Sequence, residues 1–280
     1  MLTTDSDILS PLTAKINSIS TYNFNYKTNP ISLGTTIAFL DNAGKYARFF
    51  EMQAVLREGE PTVFEQSKNI SKLFPNDIGI IANSRENSTV FFTIPNTNKL
   101  YGFKYFQAGD QRIQQAWFEW ELNGKVQHLA MLDDALYAVI MYDNDAVTLQ
   151  KFSLKLDDNS HTVVSDDTYR IHLDNSKSFV NTDLTYIADG DYTSFNHTAV
   201  DFPISYNDIN TSELYVVAVS TGTDKEFNGL VSKVTTFNDN GTTKIKIPGN
   251  WTTSDSDKAF KVVLGYSFEM EIESWSYRCL

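Results

Sequence analysis

Apolar and aromatic positions along the 280-residue chain recur in runs of five to eight, rich in Val, Ile, Thr, Tyr and Phe and broken by Asn, Asp and Gly. Such runs fit β-strands, and no helical period dominates, so the pattern predicts an all-β protein. The stretch LYGFKYFQAGDQRIQQAWFEWEL, residues 100–122, organises the rest. Leu100, Phe103, Tyr105 and Phe106 load one strand, and Ala116, Trp117, Phe118 and Trp120 load the next. Between them Gln107-Ala108-Gly109-Asp110-Gln111 forms a turn in which Gly109 is free to take a positive φ. Trp117 and Trp120 are three apart and therefore face opposite sides of a strand. One is expected in the core and the other at a contact between sheets or subunits, with a carbohydrate platform as the narrower reading.

The flanks of this stretch resemble each other. IGIIANSRENSTVFFTIPNTNKLYGFKYF, from Ile78, and HLAMLDDALYAVIMYDNDAVTLQKFSL, from His128, share one order of apolar run, polar turn, strand, turn and strand. Matching Phe103 to Gln150 offsets the copies by 47 residues. That spacing falls within the roughly 40–50 residues of a four-stranded propeller blade. Ahead of the repeat, TTIAFLDNAGKYARFFEMQAVL predicts a hairpin, with strands at 35–40 and 46–56 and a turn at Asp41-Asn42-Ala43-Gly44. Residues 62–72 read as a short helix or an extended connector.

A polar, acidic stretch marks a linker at 157–167, so the expected organisation is propeller-like blades over 1–156 and a second antiparallel β domain over 168–280. In that second region the clearest strands are 213–220, 229–237, 243–247 and 259–272, the pattern of a small barrel or sandwich. The length, 41% hydrophobic content and 13% aromatic content suit two folded domains.

Charge narrows the function classes. With 23 basic against 35 acidic residues the net charge is −12, the wrong sign for gripping a nucleic-acid backbone. Cys279 is the sole cysteine, so no intrachain disulfide forms. Six sequons, at Asn69, Asn87, Asn196, Asn210, Asn240 and Asn250, read as the composition of an Asn- and Thr-rich β protein. The sequence shows neither a signal peptide nor an apolar run of the ~18 residues that cross a bilayer, and a protein soluble when made is expected.

The search for chemistry returns little. Glu58, Glu60 and Glu65 cluster, which invites an acid/base role, but the plainer reading is a solvated face. Asp133-Asp134 reads as a hairpin tip. His128, His161, His172 and His197 have no chelating spacing and read as structural. Asp189-Gly190-Asp191 hints at calcium but reads better as a turn. No phosphate loop, nucleophile elbow or zinc motif appears. The expectation is a non-enzyme without catalytic, cofactor-binding or metal residues and without a cofactor.

Several phrases nevertheless carry an identity. GKYARFFEMQAVLREGEPTVFEQSKNISKLFP, SRENSTVFF, NKLYGFKYFQAGDQRIQQAWFEWEL, YRIHLD and VVLGYSFEMEIE resemble the tail tubular protein B family, the nozzle proteins of short-tailed phages. The resemblance implies a virion structural protein made in the host cytoplasm, built from β-propeller blades and appended β domains. It further implies a ring, hexameric in the full tail, below the adaptor protein. Tail fibres would dock on that ring, and DNA would pass its channel without specific binding. A propeller needs about four blades to close, and the sequence offers two repeat units and a hairpin. A partial-length member is therefore expected, its propeller completed by sequence outside this chain or left open. A glycan-binding or glycan-degrading tail protein is the alternative.

Overall fold

The computed structural model describes residues 2–4, 14–16, 22–53, 62–70, 72, 74–108, 111–133, 135–143, 145–152, 154, 173–188, 197–203, 213–220, 229–252 and 260–271. Among these, every regular element is a strand except one 3-10 turn at Asn181–Asp183, so the all-β class read from the sequence holds. Two compact units divide the chain, Met1–Lys155 and Leu156–Leu280.

The first unit begins with a short antiparallel pair, β1 (Leu2–Thr4) and β2 (Ala14–Ile16). Next come β3 (Ile31–Ser32), β4 (Thr36–Asp41), β5 (Arg48–Gln53) and β6 (Thr62–Glu65), which pair in sequence order as a four-stranded antiparallel meander. This is the topology of a propeller blade. The expected hairpin is β4 and β5, closed where Asp41 opposes Arg48. Asp41 Oδ1 accepts the Ala43 N–H at 2.8 Å, an Asx turn, while Oδ2 takes Arg48 Nη2 at 2.8 Å. The segment open to a helix or connector reading supplies β6 and a turn.

The repeat region forms six strands: β7 (Ile80–Ser84), β8 (Thr89–Thr93), β9 (Thr97–Ala108), β10 (Gln111–Leu132), β11 (Ala135–Met141) and β12 (Val147–Phe152). They make one meander, in the order β12-β11-β10-β9-β8-β7. The two sequence copies are therefore not separate sheets. β10 joins them, pairing with β9 through 111–121 and with β11 through 125–132. Turns in both copies use non-glycine residues at positive φ: Ser88 (48°), Asn96 (66°), Asp133 (46°) and Asp145 (62°). Asn and Asp tolerate that region better than other side chains. The sheet is also curled. β7 lies three strands from β10, about 14 Å in a flat sheet, yet Cα atoms of the two come within 8 Å.

The inner faces of these two sheets share one core. Phe49 of β5, Phe92 of β8, Phe103 of β9 and Phe74 are fully buried. Phe49 meets Phe92 edge-on at 5.0 Å and Phe103 at 5.5 Å. Such pairs add about 0.5–1.5 kcal/mol each beyond the area they bury.

The second unit contains β13 (Asp174–Val180), β14 (Thr185–Ile187), β15 (His197–Asp201), β16 (Leu214–Ser220), β17 (Val231–Lys233), β18 (Thr235–Asp239), β19 (Thr242–Pro248) and β20 (Phe260–Tyr266). They form two four-stranded antiparallel sheets, β13-β20-β16-β17 and β14-β15-β19-β18. Val216, Val262 and Leu264 of the first pack with Val200, Ile245 and Ile247 of the second, so the unit is a sandwich. The single strand expected at 229–237 is two. Val234 is buried and donates its N–H to Leu214 O at 3.2 Å; there the chain leaves β17's sheet for β18's. The strand expected at 259–272 ends at Tyr266, and residues 267–271 are exposed.

Candidate functional site

The two tryptophans of β10 lie on opposite faces of its sheet. Trp117 points into the core, 4.7 Å from the Phe103 ring and 5.2 Å from Phe74, and its Nε1–H donates to Gln66 O at 3.2 Å. Trp120 points to the other face, where it is 36% exposed. Its ring lies parallel to Phe152 of β12 at 5.8 Å and near Phe118 at 4.9 Å. One face of Trp120 is thus taken by Phe152, which leaves a poor platform for a sugar ring.

On β12, Val147 and Leu149 alternate with Phe152 and so point to the face opposite the Trp120 stack. Val147 and Leu149 of β12 are 60% and 69% exposed, and Phe106 and Leu132 are similarly open. β12 is the edge of its sheet, and β10 carries no strand opposite β9 along 111–121 among the described residues. Two ion pairs lie on this sheet: Lys99 with Glu119, and Lys125 with Asp143 at 2.8 Å. The hydrogen bond from each lysine to its carboxylate holds its pKa above the ordinary value.

Four of the residues that invited chemistry lie among the described residues. Glu65 sits on β6, Asp133 makes the β10–β11 turn, and His128 is exposed on β10. His197 is buried on β15, edge-on to Phe237 at 5.5 Å. Glu58, Glu60, Asp134, His161, His172, Asp189, Asp191 and Cys279 lie outside the described residues, as do the 157–167 linker and the turn residues Gly109 and Asp110. Three of the described sequon asparagines serve local structure. Asn87 bonds Ser84 Oγ at 3.0 Å, Asn240 adopts φ 51°, and Asn250 Oδ1 accepts the Thr252 N–H at 3.0 Å.

Sequence reading gave no role to Glu51, a buried carboxylate that accepts from Thr36 Oγ1 at 2.5 Å and Gln66 Nε2 at 2.6 Å. It also passed over Asp174, whose pKa burial pushes up against the opposing Asn175 backbone N–H. No local signal marks either, because both depend on what packs around them. Among the described residues no group of three His, Cys, Asp or Glu side chains is placed to hold a metal ion. None of the described helices is long and apolar enough to cross a membrane.

What the geometry offers among the described residues is therefore sheets with unpaired edges and several exposed apolar side chains, features of proteins that act through contacts. A comparison with curated proteins finds no match. The family described as bacteriophage nozzle protein matches residues 1–278. The chain accordingly belongs to the bacteriophage nozzle protein family, whose members are structural proteins of the phage tail.

Proposed function

We propose that the chain helps form the wall of the DNA-exit channel at the tail tip and offers a docking surface to tail fibres, acting by shape and not by turnover. The observation that carries this reading is the family match over residues 1–278. The open sheet edges and exposed apolar strands of the first unit suit a subunit of a ring that contacts further copies, the adaptor protein and fibres. The blade-like meander is one part of a propeller. The organisation we favour assigns blades to 1–156, a linker to 157–167 and the sandwich to 168–280. A net charge of −12 suits a conduit, because anionic walls let DNA slide where Lys or Arg would hold phosphates. No observation favours the glycan reading, since Trp117 is core and Trp120 is stacked on Phe152.

Electron microscopy of the parent virion with an antibody raised against this chain tests the proposal. Label is expected at the tail tip, and a tail tip without label on otherwise labelled particles would overturn it.

A further inference from the structure

β10 has two partners but shares them end to end. β9 covers one side along 111–121, and β11 covers the other only along 125–132. Along 114–121, one side of β10 therefore faces no strand among the described residues. In an antiparallel strand alternate residues turn both backbone groups to the same side, so about half of these peptide units present N–H and C=O outward. Among the described residues nothing blunts that edge. The segment QQAWFEWE contains no proline, and the irregularities in its pairing fall outside it, at Arg112/Gln114 and Glu121/Val126. Glu119 and Glu121 are held by Lys99 and Asn98 and do not project as guards. Long unguarded edges of this kind are templates for another strand.

A strand of matching character exists on the same chain. Among the described residues no strand pairs with the outer edge of β12, which runs VTLQKF and exposes Val147 and Leu149. Its only charge is Lys151, whereas residues 114–121 carry only Glu119 and Glu121. Branched apolar side chains beside Phe118 and Trp120 make favourable cross-strand pairs, and no like charges are brought face to face.

We propose that β12 of one copy adds to the 114–121 edge of β10 in the next copy, extending the sheet from subunit to subunit. The contact is heterologous, because each copy uses a different edge on its two sides, so it closes into a ring when the rotation allows. That the partner is a second copy rests on the tail-ring reading above; the location of the contact rests on the strand pairing alone.

The test uses single-cysteine chains in which Cys279→Ser removes the native thiol. Gln114→Cys and Leu149→Cys both alter exposed positions and leave the core intact. The two variants are produced separately and together and treated with a flexible bismaleimide that reaches either face of a sheet. A cross-linked dimer is expected only when both variants are present. Cross-linking of Gln114→Cys alone would mean that the edge pairs with its own equivalent and would overturn the assignment. Larger particles by mass photometry without a mixed cross-link would also overturn it, leaving the ring reading intact. A chain that stays monomeric up to cross-linking concentrations would remove both.

Discussion

The ring of Phe118 lies directly over Gly102, its cross-strand partner between β10 and β9. A Cβ on Gly102 would sit 2.0 Å from Phe118 Cζ, so glycine is required by the close approach and the aromatic covers backbone that would otherwise be bare. Gly102→Ala is expected to destabilise the first unit by about 1–3 kcal/mol through overpacking. Phe118→Ala should remove the clash, so the double variant should lose clearly less than the sum of the two single losses. Urea unfolding followed by circular dichroism on all four proteins reads this directly.

The opposite orientations of Trp117 and Trp120 predict unequal costs. Trp117→Ala should cost about 3–5 kcal/mol, the range for a large aromatic removed from a packed core. Trp120→Ala removes a stack on Phe152 and partial burial, and about 1–2 kcal/mol is expected. Equal losses in thermal unfolding would contradict the assignment of Trp117 to the interior.

Closure of the β4–β5 hairpin depends on a buried carboxylate with two jobs. Asp41→Ala loses both the Ala43 N–H acceptor and the Arg48 partner, and a cost of about 1–3 kcal/mol is expected. Asp41→Asn keeps an acceptor for the turn, so it should retain part of the stability that alanine loses. Comparing the two in denaturant separates turn from ion pair, and an Asn variant no better than Ala would deny the turn its role.

Asp174 predicts a pH dependence of unusual sign. Burial raises its folded-state pKa above the unfolded value, so the folded form binds the proton more tightly. Stability from this group is present at low pH and is lost as pH rises from the unfolded pKa, about 3.9, through the folded one. Asp174→Asn should therefore raise the unfolding midpoint of the second unit at neutral pH, and the advantage should vanish below about pH 4. A gain that persists unchanged at low pH would assign the effect to packing.

Much of this molecule is legible from its residues because strands announce themselves locally. The alternation that set Trp117 and Trp120 on opposite faces, and the Asp41–Gly44 turn, depend only on neighbouring residues. What failed depends on distant ones. Residues 230–237 contain no glycine or proline, and the change of sheet shows only in long-range pairing, where Val231–Lys233 joins β16, Thr235–Asp239 joins β19 and Val234 N–H bonds Leu214 O between them. The repeat was visible, but its two copies lie in one sheet because β10 is long enough to serve both, a fact that pairing decides and composition does not. Glu51 gave no signal since its partners, Thr36 and Gln66, lie on other segments.

The continuity of β10 has a mechanical consequence. A pull applied where β9 and β10 meet, at the Ala108 and Gln111 end, travels along covalent bonds of a single strand to the far hairpin with β11. The two halves of the sheet are thus joined by the covalent chain of β10 and not by hydrogen bonds alone. A tail component built around such a strut resists stretching along that axis.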